Sequence, residues 1–194
     1  MELKIKDPGS ALTHFIAMLT AMVAATPLLI KAASAPGTMH LKALSVFIVS
    51  MILLYAASTV YHTFDISEHV NKILRKIDHM MIFILIAGTY TPVCLIVLGN
   101  KSGYRMLSLV WGIAIVGIII NALWINCPKW FSSVIYIAMG WVCIIAIRQI
   151  VAALTPAAFA WLLAGGIIYT IGGVIYALKL PIFNSKHKNF GSHE

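Results

Sequence analysis

Four residues of this chain have the types, and the expected placement, to hold a metal ion and its water: Ser58, His62, Asp78 and His193. The second apolar stretch ends Ala57-Ser58-Thr59-Val60-Tyr61-His62, and Tyr55, Ser58 and His62, at i, i+3 and i+7, share one helical face. The third opens on Asp78-His79 behind the Arg75-Lys76 pair. Ionisable groups at membrane depth are rare enough to be functional candidates by default. Imidazole nitrogens and carboxylate oxygens suit zinc, whose catalytic sites keep three protein ligands and a water. A plainer reading also holds: His62 and His193 are interfacial histidines, and Asp78 caps the third helix and pairs with Arg75. No HExxH or HxH pattern is present, and His193-Glu194 is at most half of one. Spacing alone leaves both readings open.

Placing those residues requires a chain that crosses a membrane repeatedly, and the composition demands one. Of 194 residues, 61% are hydrophobic and 10% charged, against roughly 25% charged in a soluble domain. A soluble globular protein is excluded. Apolar stretches fall at about 13–31, 43–61, 78–98, 106–125, 130–147 and 157–178, each near the length one bilayer crossing needs. The expected fold is therefore an all-α polytopic membrane helix bundle, residues 1–194 forming a single integral membrane domain. Pro36-Gly37, Asn126-Cys127-Pro128 and Thr155-Pro156 mark turns, while Pro27 and Pro92 lie inside or near the ends of spans, where kinks are tolerated.

Charge sets the orientation. With the N-terminus cytoplasmic, the inner segments hold nine basic residues (Lys4, Lys6, Lys72, Arg75, Lys76, Lys129, Lys179, Lys186 and Lys188) against five outside (Lys31, Lys42, Lys101, Arg105 and Arg148). The positive-inside rule then predicts both termini on the cytoplasmic side. His62, Asp78 and His193 consequently meet at one leaflet. The net charge of +8 is scattered between spans and never forms a basic face, so it points to anionic membrane lipids and away from nucleic acid. Nothing indicates a soluble protein partner. Ile66, Val70, Ile73 and Ile77 share a face that Lys72, Arg75 and Lys76 avoid, which predicts a short amphipathic helix on the inner leaflet.

Cys94, Cys127 and Cys143 are odd in number and form no CxxC, so they are expected to be reduced packing residues. The polar start MELKIKDPGS carries no signal-peptide pattern. His79 is about 100° around the helix from Asp78 and is expected to make a structural hydrogen bond. His14 and His187 are expected near the interface, and His40 and His69 in loops. Asn121 and Tyr136 either line the same cavity or bond between helices. In the sixth span Gly165, Tyr169, Gly172 and Tyr176 form a stripe, with Gly166 and Gly173 alongside, suited to close approach of a further helix.

Taken together, Ser58-x-x-x-His62, Asp78-His79, Gly88-Thr89-Tyr90-Thr91-Pro92 and Gly165-Gly166-x-x-Tyr169-x-x-Gly172, in this order, resemble the hemolysin III family. These are bacterial relatives of the progestin and adiponectin Q receptors, and Leu12-Thr13-His14 is similar to the family's first span. The resemblance covers essentially the whole chain. It implies seven helices, of which six are present here, a cytoplasmic N-terminus and a zinc ion near the cytoplasmic face of the bacterial plasma membrane. Its ligands would be His62 and two late histidines four apart, with Asp78 acting through water and Ser58 beside it. His193 matches the first of the late pair, and the second would lie beyond Glu194, so the sequence is expected to stop short of the seventh helix.

The chemistry this implies is metal-assisted hydrolysis. Zinc brings the pKa of its water toward about 7, Asp78 accepts the proton and Ser58 donates to the water's oxygen. A lipid amide or ester is the expected substrate, in keeping with the ceramidase-type hydrolysis associated with kin of the family, and a role in membrane lipid homeostasis would follow. Rivals are a non-enzymatic, zinc-stabilised membrane sensor with a closed metal site and a cytolysin acting through lipid products, since no segment resembles a pore former. A proton-coupled transporter would show an inverted repeat and midplane groups. A retinal protein would need a lysine deep in a span.

Overall fold

Backbone N–H and C=O groups in hydrocarbon must find partners within their own segment, so long apolar stretches become helices. The computed structural model describes residues 5–124 and 129–178, the side chains of Lys129 and Tyr176 excepted; His187 and His193 lie outside the described residues. Among the described residues seven α-helices follow in order: α1 Pro8–Ala33, α2 Met39–Thr63, α3 Glu68–Pro92, α4 Lys101–Leu123, α5 Lys129–Gly140, α6 Ile147–Ala153 and α7 Pro156–Leu178. Val93–Leu98 extends α3 as a π-helical turn, and Trp141–Ala146 joins α5 to α6 as a 3₁₀ turn. These make six units long and apolar enough to cross a membrane. Among the described residues there is no strand. The chain is an all-α, multi-pass membrane helix bundle.

Its surface is turned inside out relative to a protein in water. Val23, Ile145 and Trp161 are 75%, 74% and 80% exposed, a cost in water but none in lipid. The buried seam between α1 and α2 is built from small residues, among them Ala11, Ala21, Ala25 and Ala43. Without a hydrophobic drive between helices in lipid, such residues let backbones approach until dispersion holds them. α1 packs on α2, α2 on α3, α3 on α4 and α5 on α7. Gly88 brings α3 onto α2 so closely that a Cβ there would collide with the Ser50 side chain.

Two departures from the expected spans matter for the site. The amphipathic segment is not a separate surface helix: Ser67 accepts the N–H of Val70 at 3.3 Å and starts α3 ten residues earlier than the apolar run implied. Nothing between Lys72 and Asp78 breaks a helix, and the amphipathic period is the helical period, so the two segments fuse. The resulting unit, Glu68–Leu98, has 31 residues and is about 46 Å long at 1.5 Å per residue, beyond the ~30 Å hydrocarbon core. Its first turns leave Ile73 exposed, and Lys76 Nζ donates to the Ala122 carbonyl at the end of α4 at 3.0 Å.

The fifth span is broken after Gly140. The tyrosine of the Gly88–Pro92 motif repairs it: Tyr90 Oη donates to the Gly140 carbonyl at 2.6 Å and accepts from the Cys143 N–H at 2.9 Å. One side chain thus satisfies two backbone groups in a medium that offers no water. Tyr90→Phe would leave both without that partner, and thermal unfolding in detergent should show a loss of about 1–3 kcal/mol per stranded group. An unchanged midpoint would show that the break is satisfied in another way. Cys94 is buried and Cys143 half-buried, both free, as packing residues should be; Cys127 lies outside the described residues.

Candidate functional site

His62 sits in the last turn of α2, where the final carbonyls have no partner within the helix. The segment leading into α1 supplies one. The Asp7 N–H donates to the His62 carbonyl at 2.9 Å and the Lys6 N–H to that of Thr63 at 3.3 Å. Lys6 Nζ lies 4.0 Å from the centre of the Tyr61 ring, a cation–π contact that favours the same docking. The start of α1 and the end of α2 are thereby strapped together, and the short link to α3 brings Asp78 to the same end.

On this frame His62 Nδ1 lies 3.0 Å from Asp7 Oδ2, with the side chains 19% and 11% exposed. Asp7 is the N-cap residue of α1, yet its side chain makes no capping hydrogen bond. An aspartate in that place ordinarily stabilises the helix by about 1 kcal/mol through such a bond; here the carboxylate is turned to His62 instead. The His14 ring packs against that of His62, centroids 5.6 Å apart and planes within 6° of parallel, and against Tyr55 at 6.0 Å. Asp78 is near enough for its charge to act on His14. Ser58, one turn before His62, is buried.

Ser58 and His62 thus lie one turn apart at the end of α2 that the short link joins to α3, the helix carrying Asp78. Among the described residues the only contact of a carboxylate with a basic side chain at salt-bridge distance is that of Asp7 with His62, so Asp78 is not tied to Arg75. No group of three or more His, Cys, Asp or Glu gathers there in a metal-holding arrangement among the described residues. His193, the late member of the expected set, is outside them.

Two members of the cluster, Asp7 and His14, were not anticipated. His14 was expected near the interface, and it stacks there on His62. The signal was faint: Asp7 is seven residues before His14 but stands at the cap of α1, outside its helical repeat. Aspartate before Pro8 reads first as a helix start, which hid it.

Other polar residues make hydrogen bonds within and between helices. His79 Nδ1 donates back to the Arg75 carbonyl at 2.5 Å, and Tyr136 Oη donates to the His79 carbonyl at 2.9 Å across helices. Ser132 Oγ bonds Asn121 Oδ1 at 3.4 Å. In α7, Gly173 packs on Ile137 and Tyr169 on Gly140, whereas Gly165, Gly166 and Gly172 have open space beside them.

Comparison with known proteins agrees with this architecture. The family described as "Haemolysin-III related" matches residues 3–194. A protein named "Hemolysin-3 homolog" from Bacillus subtilis (strain 168) is 37% identical over 174 residues, covering 90% of this chain and 81% of its own length. "Hemolysin-3" of Bacillus cereus is 37% identical over 179 residues, covering 92% of this chain and 81% of itself.

Proposed function

The chain belongs to the haemolysin III-related family, and from that premise we propose that it is a zinc-dependent membrane hydrolase of lipid amide or ester bonds. The observation that carries this reading is the convergence of His62, Ser58, Asp78 and His14 at the linked ends of α1, α2 and α3. The positive-inside count puts that end at the cytoplasmic leaflet.

The donor chemistry fits zinc as far as the described residues extend: His62 offers an imidazole nitrogen from a fixed ring, and an unpaired carboxylate stands nearby in Asp78. His62 and His193 would hold the ion, with Asp78 reaching it through water. When bound, zinc acidifies water toward pKa about 7 and polarises a carbonyl. Asp78 takes the proton from the attacking water as general base. Ser58 donates a hydrogen bond toward oxygen that gains charge as the carbonyl is attacked. Turnover of such lipids makes the chain a membrane lipid homeostasis protein.

The relatives' names favour a second reading, hemolysis. In a multi-pass chain, lytic lipid products join the two readings. Purified protein in liposomes carrying a lipid amide or ester should release fatty acid, lose that activity to a zinc chelator and regain it with added zinc. Turnover indifferent to the chelator, or none across both bond types, would overturn the proposal; red-cell lysis by an Asp78→Asn variant that hydrolyses nothing would favour a non-enzymatic cytolysin.

A further inference from the structure

We infer that Asp7 is a positioning residue for the metal site: its carboxylate fixes the tautomer and orientation of His62, and so ties metal affinity to the docking of α1 on α2. This rests on the zinc reading above and adds to it the group that prepares the ligand. An ionised carboxylate can only accept. Across the 3.0 Å contact with Asp7 Oδ2, the proton must therefore sit on His62 Nδ1. In a neutral ring that leaves the lone pair on Nε2, which makes Nε2 the nitrogen available to a metal. Histidine ligands of metal sites almost always give their other ring N–H to a carboxylate, carbonyl or water, which fixes the ring and raises its basicity.

Three further observations set Asp7 apart from an incidental neighbour. It forgoes the cap bond of its own helix. Its backbone N–H is held on the His62 carbonyl at 2.9 Å, so main chain and side chain grip the same residue. Its side chain is only 11% exposed, and the Lys6 contacts with Thr63 and Tyr61 hold the strap on its other side. A shift of α1 along α2 would carry the carboxylate off the ring and leave Nδ1–H unheld.

The test uses the full-length protein in detergent, with Asp7→Ala and the shape-preserving Asp7→Asn beside wild type. Zinc affinity is read by chelator competition and the His62 tautomer by ¹⁵N NMR of the metal-free protein. Asp7→Ala should weaken zinc about 10- to 100-fold, the usual effect of removing an outer-shell partner, and shift His62 from the Nδ1–H toward the Nε2–H tautomer. Asp7→Asn should weaken zinc less, since its amide oxygen still accepts, and it keeps the measurement open if the alanine variant does not fold. Unchanged zinc affinity in both variants, or a wild-type His62 already protonated on Nε2, would overturn the role of Asp7 while leaving the hydrolase reading intact. Wild-type protein that holds no zinc would overturn the hydrolase reading, and the tautomer would then still decide whether Asp7 sets the ring.

Discussion

His62→Ala is expected to abolish stoichiometric zinc binding and, with it, lipid hydrolysis. The loss of affinity should exceed the about 10- to 100-fold that removal of an outer-shell partner brings, because a ligand itself is gone. The variant should also be less stable in the absence of metal. Asp7, 11% exposed, would lose the group it is turned toward, and a stranded polar group of this kind costs about 1–3 kcal/mol, more when charged. The backbone strap survives, since it uses the carbonyl of residue 62 rather than its ring. Metal analysis and thermal unfolding of the same sample separate the two effects. Full zinc occupancy in this variant would remove His62 from the site.

Asp78→Asn should separate the two properties, keeping zinc and losing turnover. In the proposed mechanism Asp78 reaches the metal through water, and it forms no ion pair among the described residues, so the near-isosteric amide should disturb neither ligand nor fold. What it removes is the base. General-base contributions run to about 10²–10⁴-fold, and the rate on a lipid amide should fall by that factor with the metal content unchanged. A variant that loses zinc as well would make Asp78 a direct ligand, and one that keeps its rate would assign the proton transfer to another group. His14, stacked on His62 within reach of the Asp78 charge, is then the residue to replace next.

The spans were legible because hydropathy in a membrane chain reports the solvent directly, and all six apolar stretches fall in helical units long and apolar enough to cross a membrane. Their ends were less so. α3 begins at Glu68 because helix does not stop where hydropathy does, and only a breaker or a cap, here Ser67, sets the limit. The break in the fifth span was hidden because Trp141–Ala146 is apolar whether wound as α or 3₁₀; its sole herald was a tyrosine, Tyr90, in another helix. At the site, Ser58, His62 and Asp78 stood out as polar groups at apolar ends. Asp7 did not, since an aspartate before a proline is explained by capping until the structure shows the carboxylate turned elsewhere. Tertiary contact between residues 55 positions apart is not a property of either segment alone.

The most direct measurement is the zinc content of the purified full-length protein, with His62→Ala and His193→Ala prepared alongside. About one zinc per chain in the wild type, lost in both variants, is the expected result for a site built from the end of α2 and the late histidine. A metal-free wild-type protein, or zinc that survives both substitutions, would contradict a metal centre at this end of the bundle.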